Sequence, residues 1–164
     1  MINSDSTNDL IDLDKSAGVK FPPPLVYVIW MILGAIIQKY FPKDIGIPFD
    51  YQYWGLGLAI IGIIFIIYTF NIFQKAETNI KPWEPTTNII TTGIYAWSRN
   101  PIYLAFNLFP IGLGIFFDNL WVLLSFLPAA FIIYHIATKK EEKYLEDKFG
   151  EEYLDYKNKV RRWI

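Results

Sequence analysis

Between Trp54 and Phe73 the chain reads WGLGLAIIGIIFIIYTFNIF, 20 residues without a charge. At about 1.5 Å of rise per residue, such a segment makes a helix about 30 Å long, the thickness of a bilayer's hydrocarbon core. A helix that is apolar on every side has to be surrounded by lipid or by protein, so this block alone restricts what the chain can fold into.

Three further apolar blocks accompany it. Leu25 to about Tyr40 follows Pro22-Pro23-Pro24, and prolines are tolerated at a helix start because the first backbone N–H groups have no partner. Pro101 to Phe117 and Leu120 to Ala137 are separated only by Asp118 and Asn119, which predicts a tight antiparallel hairpin. Both are short for a span, and Pro110 and Pro128 inside them predict kinks that leave room for a cavity. With 53% hydrophobic and 19% charged residues, and the charge confined to the segments between blocks, the chain is too apolar for an ordinary soluble domain of 164 residues. The expected fold is all-α and integral to a membrane. It has four transmembrane helices, at about 25–40, 54–73, 101–117 and 120–137, and a C-terminal amphipathic cytoplasmic helix at about 139–162.

The first 20 residues carry Asp5, Asp9, Asp12 and Asp14 and lack the basic start and small-residue cleavage site of a secretory signal, so they read as a flexible tail. Residues 21–164 then form a single membrane domain. Four spans place the tail, the 74–100 loop and the C-terminal segment on one side, with 13 of the 15 Lys and Arg; only Lys39 and Lys43 lie opposite. By the positive-inside rule that side, with both termini, is cytoplasmic. A net charge of −1 gives no field for nucleic acid, and the absence of cysteine removes disulfides, thiolate metal sites and a cysteine nucleophile.

Two polar regions carry candidate chemistry. In the loop, Thr91-Thr92-Gly93-Ile94-Tyr95 is followed by Ser98-Arg99-Asn100-Pro101-Ile102-Tyr103, so Arg99 and Asn100 sit where helix-start N–H groups can receive an anion. Arg at a membrane edge also serves as an interfacial anchor. After the last span, Glu141 and Glu142 are returned by the hairpin to the same membrane face. Without a partner from the loop they pair with Lys139, Lys140 or Lys143 on a solvated helix, whose stripe of Tyr144, Leu145, Phe149, Tyr153, Leu154 and Tyr156 would lie on the membrane surface.

Taken together, Thr91–Tyr95, Ser98–Leu104, and Glu141-Glu142 with Leu145, Phe149-Gly150 and Tyr153 resemble the isoprenylcysteine carboxyl methyltransferase and phospholipid methyltransferase group, whose bacterial members share the Thr78–Thr87 pattern. The resemblance covers about residues 54–160. It implies methyl transfer from S-adenosylmethionine to a lipophilic acceptor in the bacterial inner membrane. It also implies that Gly93, Tyr95, Arg99, Asn100, Pro101, Tyr103, Leu104, Glu141 and Glu142 bind the cofactor, with Arg99 and Glu142 as the catalytic pair. Asn100 stands where many members have His, so an imidazole base is missing there; His135, the one histidine, lies in the fourth block. Within the implied site, Arg99 and helix-start N–H groups suit the donor's carboxylate, Glu141 or Glu142 its ammonium or ribose hydroxyls, and Tyr95 and Tyr103 its adenine or sulfonium.

Gly55-Leu56-Gly57 and Gly112-Leu113-Gly114 lie inside apolar spans and read as close-packing points between helices, with room for a lipid chain beside Gly112 and Gly114 as the other reading. Two competing functions remain: an NADPH-dependent membrane reductase of the sterol-reductase kind, and a non-enzymatic membrane scaffold. A prenylcysteine-like carboxylate, a lipid amine and a small hydrophobic molecule all suit as acceptor, and the oligomeric state is not legible.

Overall fold

The computed structural model describes residues 16–164, which are helical throughout their regular structure, with no strand among them. The expectation of a flexible tail falls largely on residues 1–15, outside the described residues; of the remainder, Val19 is buried. The chain divides into two compact units. The first comprises Phe21–Thr69 and Pro101–Tyr134, and the second comprises Phe70–Asn100 and His135–Ile164 together with residues 16–20.

In the first unit, α1 spans Pro23–Tyr40 with proline in its first turn, and buries Val26, Tyr27 and Gly34 on one face. Val28, Ile29, Ile32 and Ile36, on the other face, are exposed. The second helix, α2, spans Phe49–Lys75 and is longer at both ends than its apolar block; its last turns, from Phe70, belong to the second unit. Its buried stripe up to Thr69 is made of small residues, Gly55, Ala59, Gly62 and Thr69, while Ile60, Ile61, Ile63, Ile64 and Ile67 face outward.

That stripe packs against α3, Pro101–Phe116, at backbone distance. A Cβ placed on Gly112 would stand 2.6 Å from the Gly55 carbonyl oxygen and 2.8 Å from the Ala59 nitrogen. Gly114 meets Leu123 just as closely, so the close-packing reading of these small residues holds at Gly55, Gly112 and Gly114, whereas Gly57 faces open space.

The hairpin after α3 turns on Asp118 at φ 48°. Its Oδ1 accepts from the N–H groups of Gly46 (3.0 Å) and Ile47 (3.1 Å), and Asn119 caps the next helix by accepting from the Val122 N–H at 3.0 Å. That helix runs as α4, Leu120–Leu124, and α5, Phe126–Ile133, interrupted at Ser125. Pro128 lies three residues on, and with no N–H it cannot make the usual helical bond to the Leu124 carbonyl. Pro110, by contrast, is accommodated within an unbroken α3.

The expected boundary near residue 138 is not a helix end. A π-helical turn, Tyr134–Thr138, leads directly into α6, Lys139–Phe149, so helical structure continues from Leu120 to Phe149. The break comes at Gly150 (φ 54°), after which α7 spans Glu151–Lys159, so the single helix expected over about 139–162 is two helices that end earlier. Among the described residues, three stretches are long and apolar enough to cross a membrane: Pro23–Tyr40, Phe49–Lys75 and Leu120–Phe149. Pro101–Phe116 is apolar but has 16 residues, about 24 Å of helix.

In the second unit the 76–92 loop is irregular but closely bonded. The Thr78 hydroxyl accepts from the N–H groups of Thr87 (2.9 Å) and Asn88 (3.3 Å), Thr87 Oγ1 donates to the Glu77 carbonyl at 2.8 Å, and Asn88 Nδ2 to the Ala76 carbonyl at 2.8 Å. The Thr86 N–H donates to the Tyr144 hydroxyl at 3.1 Å, which ties the loop to α6.

Candidate functional site

Gly93 opens the site with φ 63°, a left-handed conformation that costs an L side chain about 1 kcal/mol or more, and starts the 3-10 turn Gly93–Ala96. The turn buries Tyr95, whose ring meets Phe73 edge-on at 5.7 Å and whose carbonyl accepts from the Tyr156 hydroxyl at 2.7 Å. The chain then passes through Ser98, Arg99 and Asn100, whose polar groups turn inward.

The partners of this segment come from the C-terminus. After α7 the backbone becomes extended at Val160 (φ −120°, ψ 130°) and runs back along the loop. The Arg99 N–H donates to the Arg161 carbonyl at 3.0 Å. Ser98 Oγ and Asn100 Nδ2 both donate to the Arg162 carbonyl, each at 3.2 Å. Asn100, buried, therefore holds a strap of backbone in this structure.

Glu142 is the point of convergence. Its side chain is 9% exposed, and Arg162 grips it with two parallel bonds, Nε to Oε1 and Nη2 to Oε2, each 2.8 Å. Arg99 Nη1 lies 3.4 Å from Oε1 as an ion pair, with a side chain only 8% exposed. Arg99 Nε and Nη1 are buried and carry no hydrogen bond. One carboxylate thus contacts two guanidinium groups, one of which keeps buried donors unspent; groups of that kind are rare and call for an explanation. The pairing of Glu142 with neighbouring lysines, open from sequence, is corrected to the two arginines.

Tyrosines line the surroundings. Burial pushes the Tyr153 hydroxyl up to about 12, the Glu142 charge adds to this, and the Arg99 guanidinium opposes it. Burial also raises Tyr95 well above its ordinary range, with Glu141 and then Tyr156 contributing, and Tyr156 is raised chiefly by burial. These phenols are neutral hydrogen-bonding groups at ordinary pH.

Of the residues expected from sequence, Arg99 and Glu142 meet directly, and Glu141 is near enough to Tyr95 for its charge to act there. Gly93 and Asn100 shape and anchor the same loop. Pro101, Tyr103 and Leu104 belong to the first unit, on the opening turns of α3. Pro101 and Tyr103 are buried, Leu104 is half-buried, and the Tyr103 carbonyl accepts from the Tyr27 hydroxyl (3.4 Å) and Asn107 Nδ2 (2.9 Å). His135 is exposed within the π-helical turn.

Two residues escape sequence reasoning. Arg162 looks like part of a basic terminus, and no periodicity announces its contact with Glu142. Thr138 stands one turn before Glu142 on the same helical run, fully buried, with its hydroxyl unpartnered.

A family model described as phospholipid methyltransferase matches residues 51–152. A protein-S-isoprenylcysteine O-methyltransferase of Saccharomyces cerevisiae is 29% identical over 138 residues, covering 79% of this chain and 57% of the relative. The human protein of the same name is 35% identical over 88 residues, covering 54% and 30%. An uncharacterized Haemophilus influenzae protein is 36% identical over 63 residues, 38% of this chain and 100% of the relative. The chain thus spans about half the length of the yeast relative and under a third of the human one. Among the described residues, three helices long and apolar enough to cross a bilayer mark the chain as an integral membrane protein. With the matched segment covering well over half of its residues, the chain belongs to the phospholipid methyltransferase family.

Proposed function

We propose that the chain transfers a methyl group from S-adenosylmethionine to a lipophilic acceptor reached from the bilayer. The observation that carries this reading is the Arg99–Glu142–Arg162 cluster, with Arg99 and Glu142 buried and Arg162 half-buried, positive by one charge, and with Arg99 Nε and Nη1 lacking hydrogen bonds within the segment that the family model covers. S-adenosylmethionine fits that chemistry, since it has a carboxylate for Arg99, an ammonium and ribose hydroxyls for Glu141 or the remaining lone pairs of Glu142, and an adenine for a tyrosine-lined wall. When bound, it supplies a methyl group on a sulfonium, open to displacement without a nucleophile from the protein.

The chain's own residues then bind, orient and keep water out. Arg99 fixes one end of the donor, and Tyr95 and Tyr153 stay protonated and add no competing negative charge. Alignment of the acceptor with the methyl group in a dry site provides much of the rate enhancement in such displacements. In this reading Gly93, Asn100, Pro101, Tyr103 and Leu104 complete the donor enclosure, and residues 21–164 act as one domain. Pro101–Phe116 is a fourth, short span beside the three longer ones, α6 and α7 lie at the cytoplasmic surface of a bacterial inner membrane, and both termini are cytoplasmic. The relatives' name favours an isoprenylcysteine-type carboxylate as acceptor class, which needs no base because it is already ionised.

The test is S-adenosylmethionine binding to the detergent-solubilised chain. Arg99→Ala and Glu142→Ala are each expected to weaken it about tenfold to a hundredfold, the range for a lost charge-assisted hydrogen bond. Unchanged affinity in both contradicts the assignment, and NADPH binding without S-adenosylmethionine binding would favour a reductase.

A further inference from the structure

Arg99 Nε and Nη1 make no hydrogen bond beside a carboxylate that could take them, the guanidinium's side-chain hydrogen bond being with Tyr153; this is unexpected, because a buried guanidinium next to a buried carboxylate ordinarily closes into a two-point pair. Here Arg162 occupies that geometry instead, with bonds of 2.8 Å to both Glu142 oxygens, and Arg99 stands off at 3.4 Å without a hydrogen bond from Nη1. Arg162 can do this because Arg161 and Arg162 are strapped along the loop by the bonds from Arg99 N, Ser98 Oγ and Asn100 Nδ2 to their carbonyls.

We propose that Arg162 is a positioning residue that saturates Glu142 and so keeps the Arg99 guanidinium available for the carboxylate of the methyl donor. The proposal rests on the methyl-transfer reading above and assigns the C-terminal strap a part in donor recognition. Without Arg162, Glu142 captures Arg99, and the donor carboxylate loses its partner. The effect is specific to one group on the ligand, since the ammonium, ribose and adenine do not depend on Arg99.

Charge balance makes the variant testable. The Arg162 side chain is 34% exposed and the cluster has one positive charge in excess, so Arg162→Ala leaves a buried one-to-one pair of Arg99 with Glu142 and no lone buried charge. Arg162→Lys keeps a positive charge but cannot make two parallel bonds, and serves as the milder variant.

The experiment measures dissociation constants of the full chain in detergent for S-adenosylmethionine and for its decarboxylated analogue. Arg162→Ala is expected to weaken S-adenosylmethionine about tenfold or more and the analogue less than about twofold, with Arg162→Lys between wild type and Ala. A merely structural role for Arg162 would weaken both ligands alike. Equal losses for the two ligands, or no loss for either, overturn the proposal while wild-type binding upholds the methyl-transfer reading. Failure of the wild-type chain to bind S-adenosylmethionine overturns that reading and the proposal with it. Lys157→Ala, which removes only the half-exposed pair with Glu146, is expected to leave both constants unchanged.

Discussion

Arg99 has a buried side chain, a partner it touches without bonding, and two donors left over. Glu142 is what makes its burial tolerable. Glu142→Gln therefore leaves two guanidinium groups facing each other, and a stability loss of about 3 kcal/mol is expected, the scale for an orphaned buried charge; a melting curve without ligand checks it. The tyrosines give a pH signature. With Tyr153 raised to about 12 from an ordinary 10.0, the folded chain holds a proton that the unfolded chain gives up. Stability is thus fully present below pH 10 and falls as pH rises from 10 toward 12, with Tyr95 and Tyr156 adding in the same direction. Tyrosinate absorbance followed beside helical content should show these phenols ionising only as the fold is lost. The meeting of Arg99 with Glu142 was legible because two short motifs flank a hairpin whose turn is two residues long. The role of Arg162 was not legible, since it depends on the backbone reversing at Val160, and no residue pattern marks that reversal.

At the scale of elements, small residues set the spacing of helices. Gly112→Val would drive a branched side chain into the Gly55 carbonyl and Ala59, both backbone that cannot step aside, and a loss of about 1–3 kcal/mol or failure to accumulate is expected. Gly57→Ala, two residues beyond Gly55 on α2 and facing open space, should be tolerated, and comparing the yield and melting temperature of the two variants checks the packing directly. The apolar blocks located the helices well, yet misplaced some ends. The α2 helix begins at Phe49 because Phe49 to Tyr53 includes no helix breaker and its aromatic rings suit an interface; its hydropathy simply falls below that of the central block. Likewise the change from apolar to charged residues at Lys139 marks a change of solvent, not of hydrogen bonding, so the helix continues to Gly150. Hydropathy reads surroundings, whereas helix ends answer to caps, prolines and left-handed residues.

For the whole molecule, the exposed isoleucines of α1 and α2 suit a lipid surround, and the proposed four-span topology, which puts 13 basic residues on one side, carries with it the proposal that both termini are inside. A C-terminal fluorescent-protein fusion should fluoresce and a C-terminal alkaline phosphatase fusion should be inactive; the reverse pattern would invert the proposed topology. The central claim is tested most directly by transfer of labelled methyl from S-adenosylmethionine in membranes containing the chain, supplied with a prenylcysteine analogue or with total lipid. The expected result is label in the organic phase with wild-type chain and its loss with Glu142→Ala. Organic-phase label equal to that of membranes lacking the chain, for every acceptor offered, would contradict the account.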